Sequence, residues 1–201
     1  MLLSKKYKKL KYYISFPDGY EDGKTYPVIF YTHGAGGRGK RISIIKNDEV
    51  YAKNPCVNDF IIVMPQCYAD TWFDIFEQLI AFCEYIYDSP FTDKSRFYAT
   101  GVSMGGYACY QLMMSRPELF AAAIVCCGGG MYWNAYRLQN IPIRAFHGAL
   151  DKVVYPEESA KMVSAIGARA ELIVYEDADH DCWTKTYTNK ENFEWLLSHR
   201  K

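Results

Sequence analysis

The sequence predicts an α/β chain built on a compact, mostly parallel sheet flanked by helices, and three observations predict it. Several short strand candidates are apolar on both faces, as strands of a parallel sheet covered by helices must be. From Val28 onward, strand and helix candidates alternate along the chain, the doubly wound pattern. Gly and Pro fall at short intervals and never cluster into a linker, so residues 1–201 read as one domain.

Each element has its own signal. Alternation or a short apolar run marks strands at Lys9–Phe16, Val28–Thr32 and Phe60–Met64. The apolar spacing of Trp72–Tyr87 predicts a helix, which returns the chain to a strand at Arg96–Thr100. A helix over Met104–Met114 leads to the all-apolar run Ala121–Cys126, then to a strand at Ile143–Phe146. Glu157–Ile166 reads as a helix, Glu171–Tyr175 as the last strand and Asn189–Ser198 as a terminal helix. Residues 34–59 are poorly periodic and predict a loop with a short helix, while Gly128–Asn140 is a glycine start followed by aromatics. Both follow strand ends, the edge at which open α/β sheets bind ligands.

Composition excludes several function classes. Lys plus Arg (23) equals Asp plus Glu (23), so no global positive field exists to hold a nucleic acid or an anionic membrane. The one basic cluster, Lys5, Lys6, Lys8, Lys9 and Lys11, reads as a solvated start to the first strand. Half the residues are apolar and 16 % are aromatic, enough for a large core; at this length about 70 % of the unfolded surface can be buried. The seven cysteines are an odd number without a C-x-x-C, which predicts reduced thiols and a cytoplasmic setting. Neither a secretory h-region nor an uninterrupted apolar span of transmembrane length is present.

The chemistry concentrates in three strand-end segments. Gly101-Val102-Ser103-Met104-Gly105-Gly106 sits between a strand and a helix, where G-x-S-x-G has a mechanical meaning. The tight turn strains the serine backbone and lifts its hydroxyl off the sheet edge, with the Met104 N–H aimed at the same small volume. Val28–Thr32 runs into His33-Gly34-Ala35-Gly36-Gly37, a glycine-rich loop whose N–H groups supply a second donor to an oxyanion; Ala35 is favoured, then Gly36. His33 reads as a brace for that loop. Asp151 follows the strand ending at Phe146 and His180 follows the one ending at Tyr175, so Ser103, Asp151 and His180 fall at one sheet edge as nucleophile, acid and base. His147, at a strand end, reads as structural. The G-x-G-G-R-G-K run does not make a phosphate loop, since no Ser or Thr follows Lys40, and no zinc-ligand spacing accompanies His180.

Together, Gly101–Gly106, His33–Gly37, His147-Gly148 with Asp151, and His180 with Trp183 resemble the α/β-hydrolase superfamily. The likeness is to its small serine esterases: polyhydroxybutyrate depolymerases, feruloyl and acetylxylan esterases, and predicted peptidases of the prolyl oligopeptidase type. It runs from Tyr12 to about Leu197. The resemblance implies a serine esterase that needs neither cofactor nor metal, with oxyanion donors at Met104 and the Ala35 region. Its partner would be a small-molecule or oligosaccharide ester, and the sequence leaves oligomeric state open. Residues 34–59 are too short for a cap domain, which implies an open site. Trp72, Phe73, Tyr132, Trp133, Tyr155 and Trp183 are the candidate substrate-binding aromatics.

Overall fold

The structure is a computed structural model that describes residues 2–48, 50 and 54–201. Among the described residues there are eight strands: β1 (Leu2–Tyr7), β2 (Leu10–Ser15), β3 (Tyr26–Thr32), β4 (Ile61–Pro65), β5 (Thr92–Val102), β6 (Ala122–Cys126), β7 (Ile143–Gly148) and β8 (Ala170–Tyr175). The α-helices are α1 (Phe76–Tyr87), α2 (Met104–Ser115), α3 (Pro156–Ile166), α4 (Trp183–Thr188) and α5 (Lys190–Leu197). The strands form one sheet in the order β1-β2-β4-β3-β5-β6-β7-β8. Pairing is antiparallel for β1 with β2 and for β2 with β4, and parallel from β4 to β8. The predicted α/β class and mostly parallel sheet are what the chain adopts.

The side-chain period of two divides the core cleanly. Val28 and Phe30 of β3, Ile61 and Val63 of β4, Phe97 and Ala99 of β5, and Ala123 and Val125 of β6 face the layer holding α1, α2 and α3. Their neighbours Ile29, Tyr31, Ile62, Met64, Tyr98, Ala122 and Ile124 face Tyr187 of α4 and Phe193 and Leu196 of α5. Both faces of the central strands are thereby buried, which explains why they read as continuous apolar runs without alternation.

Several elements depart from expectation. Strand β1 was not predicted; its six residues are all intermediate or exposed, so as an edge strand it lacks a buried alternating face. The basic cluster consequently belongs to a β1–β2 hairpin, with Lys5 and Lys6 on β1, Lys8 at a positive φ of 51° in the turn and Lys11 on β2. The helix predicted from Trp72 begins in α form only at Phe76, because Phe73–Ile75 is a 3₁₀ turn. In place of one short helix, residues 34–59 hold 3₁₀ turns at Ala35–Gly37, Ile42–Ile45 and Pro55–Val57; Glu49 and residues 51–53 lie outside the described residues. All seven cysteines are free, and all but Cys56 are buried. Among the described residues, no helix is long and apolar enough to cross a membrane.

Candidate active site

Ser103 lies between β5 and α2 with φ 53° and ψ −123°, the strained turn that the glycine pattern predicts. A backbone of this kind stores about 1–3 kcal/mol and persists only where its surroundings fix it. Here the Ser103 N–H donates to Cys126 O at 3.0 Å, and the Thr32 hydroxyl donates to Gly105 O at 2.7 Å. Gly105 is needed for close approach, since a Cβ there would come within 1.9 Å of Thr32 O. That contact draws β3 and its His33–Gly37 loop against the serine turn.

His180 bridges the other two predicted residues. Its Nδ1 lies 2.7 Å from Asp151 Oδ2 and its Nε2 lies 3.0 Å from Ser103 Oγ. Because the carboxylate only accepts, Nδ1 carries the proton and Nε2 is left free to accept from the serine. Asp151 is buried, and its other oxygen accepts from the N–H groups of Val153 and Val154 at 2.8 and 3.0 Å. Burial by itself would raise this carboxyl, but the His180 hydrogen bond and the two N–H donors outweigh it, so the group sits below the ordinary aspartate value. His147 is fully buried, with Nε2 against Val154 O at 2.9 Å and Nδ1 against the Ser159 hydroxyl at 2.7 Å; it braces the Asp151 loop. Asp177, Asp179 and Asp181 are engaged elsewhere, respectively by Lys185, the Asp181 N–H and Thr184.

The His33–Gly37 loop is equally braced. His33 Nε2 accepts from the Cys67 N–H at 2.9 Å, so its proton is on Nδ1, which donates to Gly34 O at 2.6 Å. Gln66 donates to Gly37 O and Arg41 O from below. Within the described residues, the N–H groups of Ala35, Gly36 and Met104 have no acceptor. A Cβ on Gly34 would lie 3.5 Å from Ser103 Cβ, which brings this loop into contact with the serine turn.

His33 also gives the loop an acid sensitivity. Burial pushes its imidazole down from the ordinary 6.5 to about 4. Between those values the unfolded chain binds more protons than the folded one, so stability is fully present above pH 6.5 and is lost as the pH falls toward 4. The loss is about 3 kcal/mol at 1.36 kcal/mol per pKa unit. An NMR titration of the His33 ring is expected to find it neutral at pH 5.5; titration near 6.5 would contradict the burial argument.

A cavity of about 480 Å³ opens over Ser103 and His180, lined also by Tyr31, His33–Gly37, Val102, Val153 and Trp183. Of the predicted aromatics, Trp183 is therefore at the site, its ring meeting His180 edge-on at 5.4 Å. Phe73 is half exposed and lines a second cavity of about 520 Å³ with Phe76, Tyr107, Gln111, Gly130 and Met131. Tyr132, Trp133 and Tyr155 are exposed at strand-end loops but line neither cavity. Trp72 needs correction: it is completely buried and its indole N–H donates to His33 O at 3.0 Å, so it is a support for the His33 loop and offers no surface to a substrate. Tyr107 and Val153 were missed. Tyr107 stands one helical turn after Ser103, a spacing that the sequence does display.

Residues 66–140 match the model of the prolyl oligopeptidase family. A thermostable esterase structure is 28 % identical with a TM-score of 0.85 over 100 % of this chain and 63 % of its own. Est1E from Butyrivibrio proteoclasticus, also solved with ferulic acid bound, is 15 % identical with a TM-score of 0.77 over 98 % of both chains. Dipeptidyl peptidase 4 from Porphyromonas gingivalis gives 14 % and 0.69 over 99 % of this chain but 35 % of its own. No curated protein sequence matches significantly. The chain spans less than two thirds of the thermostable esterase. These likenesses, with the sheet order and the strained serine turn, show the α/β-hydrolase fold.

Proposed function

We propose that this α/β-hydrolase, one catalytic domain over residues 1–201, is a serine carboxylic-ester hydrolase acting on short-acyl or carbohydrate-linked esters such as acetyl or feruloyl groups. The observation that carries the reading is His180, hydrogen-bonded at once to Ser103 Oγ and to the buried Asp151 carboxylate. In this mechanism Ser103 attacks the ester carbonyl while His180 Nε2 takes its proton, and Asp151 stabilises the imidazolium that forms. The N–H groups of Met104 and Ala35 or Gly36 receive the oxyanion, where one lost donor costs about 3–4 kcal/mol of transition-state stabilisation. His180 then protonates the departing alcohol and activates the water that releases the acid. The seven free thiols support a cytoplasmic setting.

The substrate class rests on the shape of the site. Its cavity is bordered by exposed Val153 and by half-buried Trp183, and a long acyl chain gains about 0.8 kcal/mol per CH₂ only where it is buried, which supports a short acyl group. Activity toward nitrophenyl esters is therefore expected to rise little beyond about four carbons, since methylenes left in water forgo that gain, with turnover of methyl ferulate or acetylated xylo-oligosaccharides. A steady rise to the palmitoyl ester without either of those substrates would favour a lipase. The match to the prolyl oligopeptidase family supports a second reading, a peptidase on the same residues; peptide anilides turned over in preference to esters would select it. The nucleophile is tested without a substrate by a fluorophosphonate probe and peptide mapping. Labelling is expected at Ser103, and modification of another serine, or none on folded protein, would overturn the assignment.

A further inference from the structure

Close to Asp151 and His180 stands a buried thiol, Cys127, that the ester chemistry does not use. Strand β6 ends in Cys126 and runs into Cys127, which has a φ of 40° and its N–H on Phe146 O at 2.8 Å. The Cys182 thiol donates to the same Phe146 O at 3.5 Å. One ligand atom each from Cys127, Asp151 and His180 lie within 4.8 Å of one another. Thiolate, imidazole and carboxylate are the zinc donor set. Around a tetrahedral ion with bonds of about 2.0–2.3 Å, ligand atoms stand about 3.3–3.8 Å apart, so closure asks for shifts on the order of an ångström.

We propose that Cys127, His180 and Asp151 form an inhibitory site for a thiophilic divalent cation, zinc or cadmium, with water or the Cys182 thiol in the fourth position. Of the three ligands, part-exposed His180 lines the cavity, and Cys127 and Asp151 are buried behind it. The Cys127 thiol gives its proton to solvent as the S–metal bond forms. His180 Nδ1 exchanges its proton for the metal, and the neutral ring carries the proton on Nε2 instead. One proton is thus released for each ion bound. An Nε2–H donates to Ser103 and no longer accepts from it, so general-base activation stops without any change at the serine.

The inhibitory part rests on the esterase reading above, whereas the binding part does not, and the experiment separates them. Cobalt(II) is titrated into the full chain and into Cys127→Ala, Cys127→Ser and Ser103→Ala, reading the thiolate-to-cobalt charge-transfer band, with zinc competing the band away. The wild type and Ser103→Ala are expected to bind one ion per chain with that band, and both Cys127 variants to lose it. Zinc inhibition of nitrophenyl acetate hydrolysis, normalised to each variant's own rate, is expected to weaken in Cys127→Ala and to persist in Cys56→Ser. Cobalt bound by the wild type without a thiolate band, or no binding at all, overturns the site even when hydrolysis is intact. A thiolate-bound ion on a protein that hydrolyses no ester keeps the site and removes the esterase reading.

Discussion

Ser103→Ala and His180→Ala are each expected to lower kcat/KM for nitrophenyl acetate by about 10⁴–10⁶-fold, and the double variant is expected to lose little more than either. In the proposed mechanism the two side chains serve one proton transfer across the 3.0 Å contact between Nε2 and Oγ. Once either partner is gone, the other has nothing to exchange with, and what survives comes from the oxyanion donors and substrate binding. Asp151→Asn should cost about 10⁴-fold by disturbing the tautomer that places the proton on Nδ1. Losses that multiply in the double variant would mean that Ser103 and His180 act independently and that this is not one relay. Ser103→Gly gives a separate check, because glycine tolerates φ 53°: it should match the activity loss of Ser103→Ala yet be more stable than that variant.

The serine turn and the order Ser103, Asp151, His180 were legible in the sequence for a physical reason. A turn this tight tolerates only glycine where backbone meets backbone, as Gly105 does against Thr32 O, so steric need writes itself into residue type. The central strands were legible because burial on both faces demands unbroken apolar runs. Strand β1 carries no such demand, since its partner β2 covers only an edge and its own faces remain open. Helix α4, Trp183–Thr188, is shorter than two turns and leaves too few residues for a period to emerge.

Side-chain direction was the part that sequence could not carry. Trp72 and Phe73 are neighbours in the same strand-end loop, yet one is buried beneath the His33 loop and the other is half exposed in a cavity. Nothing in an aromatic pair says which ring points inward; the indole N–H decides it by finding His33 O. Cys127 is similar. As one of two cysteines ending an apolar strand it reads as a small hydrophobe, and only the turn at φ 40° brings its sulfur beside His180 and Asp151.

Gly148→Ala is expected to cost about 1–3 kcal/mol of stability by overpacking and to lower kcat by at least about 10²-fold by misplacing the base. Gly148 ends β7 where that strand meets the segment carrying His180. An added Cβ would stand 2.0 Å from Asp179 O and 2.4 Å from Ala178 O, both backbone atoms that no rotamer change can clear. The same two segments are stitched by the Ala149 N–H to Tyr175 O at 2.9 Å and the Leu150 N–H to Ala178 O at 3.0 Å, so they must separate together. Separation by an ångström or more moves His180 away from Asp151 and Ser103 while the cavity wall on the His33 side stays in place. The damage should therefore fall on kcat more than on KM. Gly36→Ala is the comparison for stability, since a Cβ there meets nothing within 4 Å. A Gly148→Ala protein with unchanged melting temperature and unchanged kcat would show that the His180 segment is not held by this contact, and that its reach to Ser103 is set elsewhere.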